Sequence, residues 1–83
     1  MRFTVTTSAD IEEKLAAIWN KAPDRAAVSR ASNQIDVFLR SSPLDRGRSF
    51  GEFHMLTIEP LTVVYEVLEK DCAVRIVDYF YEG

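Results

Sequence analysis

Cysteine, histidine and long apolar runs are what this chain has least of, and each scarcity excludes something. The 83 residues hold one cysteine, Cys72, and one histidine, His54. A lone cysteine cannot form an internal disulfide, and the pair leaves no cluster of metal ligands, so neither metal nor cofactor is expected. Cys72 reads as a small residue near a turn. No apolar run approaches the ~20 residues of a membrane span. The opening Met1-Arg2-Phe3-Thr4-Val5-Thr6 is too short and too polar for the apolar core of a signal peptide. The expected location is therefore the cytoplasm, away from membranes.

Positive charge is also scarce, and unevenly so. Net charge is −3. Residues 1–39 balance five basic side chains against five acidic ones. Residues 40–48 carry Arg40, Arg46 and Arg48 against Asp45 alone. Residues 49–83 set Lys70 and Arg75 against seven acids, a net of −5. Phosphate attraction dominates nucleic-acid affinity, so a surface built from that last segment disfavours direct nucleic-acid binding. The one basic spot falls between the predicted elements.

What remains is a globular mix, 47% hydrophobic and 28% charged, which fits a single domain over residues 1–83. A domain this small buries only roughly 60% of its unfolded surface, so it is marginal alone and leans on a partner. Phe3-Thr4-Val5-Thr6-Thr7 suits a short strand. Ser8 offers an N-cap, with Asp10 and Glu12 complementing the helix dipole. Ile11, Leu15, Ile18, Trp19 and Ala22 form one helical stripe, which assigns Trp19 to the core. Pro23 ends this helix. Asp24 caps a second, whose Val28, Ala31, Ile35, Phe38 and Leu39 recur on one face, until Ser41-Ser42-Pro43 closes it. So tight a break makes an antiparallel hairpin. Residues 44–49 read as an exposed loop.

From Gly51 the period changes to two. Three runs follow, over residues 52–58, 61–68 and 73–81, with connections short enough to require antiparallel neighbours. In the middle run Leu61, Val63, Tyr65 and Val67 face the helices, while Thr62, Val64, Glu66 and Leu68 face away. The prediction is an α+β, two-layer domain: N-terminal strand, antiparallel helical hairpin, three-stranded antiparallel meander, with the first strand joining the same sheet.

The residues Ile11-Glu12-Glu13-Lys14-Leu15-Ala16-Ala17-Ile18-Trp19, then Ser42-Pro43-Leu44 with Gly47, then Pro60-Leu61-Thr62-Val63-Val64-Tyr65-Glu66-Val67 resemble the RelE/ParE toxin superfamily over nearly the whole chain. The resemblance implies that fold and a toxin of a type II toxin–antitoxin, plasmid-stabilisation-type pair, held by a cognate antitoxin. It implies two functional kinds: cleavage of messenger RNA on ribosomes, or binding of DNA gyrase.

Nucleases of this kind need a base for the attacking 2′-hydroxyl and cations for the developing charge. The resemblance implies lysines in the first meander strand, an arginine at the start of the second, and an arginine with a tyrosine or histidine after the third. The matching positions hold Glu52-Phe53-His54-Met55-Leu56, Thr62, and Tyr81-Glu82-Gly83. His54 is the one candidate base, against the plainer role of a strand histidine bonded to backbone or solvent. With the cations missing, protein binding is expected in place of RNA cleavage. The alternatives are a divergent nuclease using His54, Arg46, Arg48 and a terminal tyrosine, or an inactive homologue kept as an interaction module.

Candidate partner-binding residues fall in two groups. Arg46 and Arg48 flank Gly47 and would grip a carboxylate or phosphate, or else simply be solvated. Tyr79, Phe80 and Tyr81 exceed what one sheet face needs. With Val64 and Leu68 they would form an apolar patch for an antitoxin or for self-association as a homodimer. Arg75 is expected to pair with Glu66 across neighbouring strands.

Overall fold

The computed structural model describes residues 2–45 and 47–82, with Phe50 described by its backbone alone. Strand β1 (Thr4–Thr6) leads into helix α1 (Ala9–Lys21), then helix α2 (Arg25–Ser41). Strands β2 (Arg48–Phe50), β3 (Phe53–Ile58), β4 (Leu61–Leu68) and β5 (Ala73–Tyr81) complete the chain, with a 3₁₀ turn at Glu69–Asp71 between the last two. They form one sheet in the order β1-β5-β4-β3-β2.

Local chemistry sets the helix boundaries. The Ser8 hydroxyl accepts from the Ile11 amide at 3.4 Å, and the Asp24 carboxylate from the Ala27 amide at 3.0 Å. Each cap satisfies one of the orphan donors of a first turn. Pro23 sits between the two helices, as expected.

The meander is antiparallel throughout, while β1 pairs with β5 in parallel, which makes the sheet mixed. Helix α2 packs against β1, β3 and β4, and α1 against β5. The core is built from Val28, Ala31, Ile35 and Leu39 of α2 over Leu56, Leu61, Val63, Tyr65, Val74, Ile76 and Tyr79 of the sheet. Between Val64 and Tyr65 the β4–β5 register shifts. The shift gives β5 one extra residue, the signature of a bulge.

Two expectations are corrected. The segment before Gly51 is not all loop: Arg48–Phe50 is a strand paired antiparallel with β3. Gly51 takes φ 60 while Glu52 does not share the positive φ. A positive φ at the first of two turn residues matches the type II′ geometry that suits the twist of a hairpin. Trp19 is not core either. It is 39% exposed, its Nε1 donates to Ser29 Oγ at 3.0 Å, and the Arg25 guanidinium lies over its ring at 4.9 Å. Ala22, at the end of the same stripe, takes the buried place instead.

Candidate functional site

Side chains of directly paired residues share a face of a sheet, and neighbours along a strand alternate. These two rules sort every candidate. His54 pairs with Ser49 and with Tyr65. Tyr65 is fully buried beneath the helices. His54 therefore lies on the helix side, half-buried, its ring stacked on Tyr65 at 5.4 Å between centroids and 20° between planes. Thr62 pairs with Thr57 and with Phe80. That row lies on the other face, called here the open face.

The nuclease positions implied by the resemblance thus do not converge. His54 and Thr62 are on opposite sides of the sheet. Tyr81 pairs with Leu61 and is on the helix side, four residues along β4 from the partner of His54. At the usual strand rise that is roughly 13 Å along the strand direction. Thr62 is sealed as well as uncharged: it is 4% exposed, and its hydroxyl meets that of Thr57 at 2.9 Å.

The cations are placed no better for holding a phosphate. Arg48 pairs with Met55, so it shares the open face and is turned away from His54. Arg46 lies outside the described residues. Arg75 forms the expected ion pair with Glu66, directly across from it on β4. The Glu66 Oε1 atom in that pair is cut off from solvent. Lys14 reaches from α1 to Asp78 at 2.5 Å and lies over the Phe80 ring at 4.8 Å. Two sheet carboxylates are thereby neutralised by the two nearest cations. Arg48 is exposed and has no ion-pair partner among the described residues.

The aromatic candidates divide in the same way, and the proposed patch needs correcting. Tyr79 is 6% exposed and belongs to the core. Burial first, and then the negative charge of Asp36, push its phenol up to about 12. Tyr81 is half-buried against the core. Only Phe80, 45% exposed, presents an open aromatic surface. Val64 shares its face but is 8% exposed, and Leu68, though exposed, lies six residues along β4 from the partner of Phe80. What the sequence joined into one patch is a single exposed phenylalanine beside Lys14 and a distant leucine.

A groove between the helices escaped the sequence reading. It encloses about 450 Å³ between α1 and α2, and Leu15, Trp19, Val28 and Asn33 are among its walls. The exposure of Trp19 makes it, and the helical stripe alone gave no sign that Trp19 would stop short of the core. Among the described residues no three His, Cys, Asp or Glu side chains are placed to hold a metal ion. No helix of the described chain is long and apolar enough to cross a membrane.

The architecture defines the class: this is the fold of the RelE toxins, as the resemblance implied. The RelBE2 toxin–antitoxin complex of Mycobacterium tuberculosis aligns with 98% of this chain and 99% of its own, at a TM-score of 0.78 and 15% identity. The archaeal RelE–RelB complex of Pyrococcus horikoshii aligns with 100% of this chain and 98% of its own, at 0.67 and 16%. The isolated RelE toxin of Escherichia coli aligns with 98% and 85%, at 0.66 and 10%. Identities this low show the shared fold. No protein-family model matches the sequence. No curated protein matches it either.

Proposed function

We propose that this chain is the toxin-like component of a type II toxin–antitoxin pair, and that it acts by gripping another protein and not by cutting RNA. The toxin role draws on the solved structures of the same fold, which are of RelE toxins alone or with their antitoxins. An antitoxin is accordingly the first partner. A gyrase-type target follows from the family resemblance stated above.

One observation carries the choice of protein binding over cleavage: Thr62. It stands where the resemblance implies a catalytic arginine, its side chain is closed off by Thr57, and it faces away from His54. Losing one preorganised charge partner costs on the order of 2.7–4 kcal/mol of transition-state stabilisation. Losing several leaves too little rate to matter.

The second reading, a RelE-like ribosome-dependent ribonuclease, draws on the family resemblance together with the likeness of this fold to the RelE toxins. Two measurements separate the readings: growth on induced expression, with and without co-expression of an adjacent small open reading frame, and primer extension on messenger RNA bound to ribosomes. Growth arrest relieved by that co-expression, with uncut message, is the expected result. Codon-positioned cuts that disappear in His54→Ala would overturn it. Absence of any arrest would mark an inert homologue.

A further inference from the structure

Tyr65 is a strand residue, yet its longest reach is to a different element. Its hydroxyl donates to the Pro43 carbonyl at 2.6 Å, across 22 residues of sequence. Tyr65 and Pro43 are both fully buried, so the bond lies away from bulk solvent. Gly47 lies against the same hydroxyl. A Cβ built there would meet the Tyr65 oxygen well inside van der Waals contact, with the ring carbon Cζ next at 3.2 Å and the Met55 carbonyl at 3.4 Å. Gly47 is thus spared a side chain by a close approach and not by its backbone angle. His54 stacks on the Tyr65 ring.

We infer that the Tyr65 hydroxyl is a positioning group for the edge strand β2, and that residue 47 is glycine to make room for it. β2 is three residues long, lies at the sheet edge, and pairs only with β3. Holding Pro43 and Gly47 against one buried oxygen fixes where β2 starts, and with it the direction of Arg48. This device goes beyond the proposed function and stands whichever partner the protein takes.

The test is amide hydrogen exchange on four forms of the full chain: wild type, Tyr65→Phe, Gly47→Ala and the double variant. Tyr65→Phe keeps the ring and its stack on His54 but leaves the buried Pro43 carbonyl unpaired. Exchange of the β2 amides bonded to β3 is expected to quicken about tenfold, the scale of one buried hydrogen bond, with β4 and β5 unchanged. Gly47→Ala alone is expected to quicken β2 further still, because its methyl collides with the hydroxyl. Adding Tyr65→Phe to Gly47→Ala removes the colliding oxygen and is expected to slow exchange back towards the Tyr65→Phe rate. A double variant as fast as Gly47→Ala or faster overturns the steric pairing. Uniform quickening across the whole sheet in Tyr65→Phe, or none anywhere, overturns the positioning role. If Gly47→Ala fails to fold, refolding of the double variant supports the pairing, and failure of both defeats it.

Discussion

Tyr79 and Phe80 are neighbours in sequence and meet opposite fates, one sealed in the core and one open beside Lys14. The consequence for mutagenesis is direct. Tyr79→Ala removes a core aromatic and is expected to cost about 3–5 kcal/mol of stability, measured by urea unfolding. Any effect of it on partner binding would be secondary to that loss. Tyr79 also gives the protein an alkaline limit. An unfolded tyrosine titrates near 10, whereas the folded one, raised by burial and then by Asp36, holds its proton until about 12. Below pH 10 the contribution to stability is fully present. Between 10 and 12 the unfolded chain gives up the proton first, so stability falls, and above 12 the contribution is gone. The loss over that window is about 2 kcal/mol. Urea midpoints should fall further between pH 9 and 11.5 in the wild type than in Tyr79→Phe, which keeps the fall due to Tyr65, itself raised by burial; equal losses in both would remove this account.

At the scale of elements, the helices were legible because their signals are local. Ser8, Asp24 and Pro23 mark ends through bonds and clashes within a few residues, and the caps form as expected. Asp24→Ala should lower the unfolding free energy by about 1 kcal/mol, read from the same urea curves. β2 was not legible, since three residues are too few to show a period of two. Its one signal was Gly51, whose φ of 60 makes the turn. Gly51→Val forces a β-branched side chain into that backbone, and a cost of about 1–3 kcal/mol is expected. Chemical shifts of Arg48–Phe50 moving towards coil values would confirm that the hairpin opens. A stable variant with β2 intact would contradict the turn assignment.

For the whole molecule, what matters is how charge is spread. The acidic strand-rich half spends its nearby cations on internal pairs, Arg75 with Glu66 and Lys14 with Asp78, leaving no row of free positive charge on the open face among the described residues. Single-stranded RNA in a fluorescence titration at physiological salt is expected to bind more weakly than ~10⁻⁴ M, the weak end of ordinary non-specific binding. Micromolar binding that weakens steeply with salt would show that phosphate is held after all. From the sequence alone came the order of the helices and of every strand but β2, the caps and the α+β class, because these follow from contacts close along the chain and from the spacing of apolar residues. It also determined the Glu66–Arg75 pair, since charge and strand adjacency were enough to propose it. For β4 the alternation already told which side chains meet the helices; packing settled the faces of β3 and β5 and how β2 is held. It separated His54 from Thr62 and buried Tyr79 while leaving Phe80 and Trp19 outside. Register and the β5 bulge set those outcomes, and a shift of one residue turns a side chain from core to solvent. That parity is fixed by packing between distant segments and is not written in any single stretch of sequence.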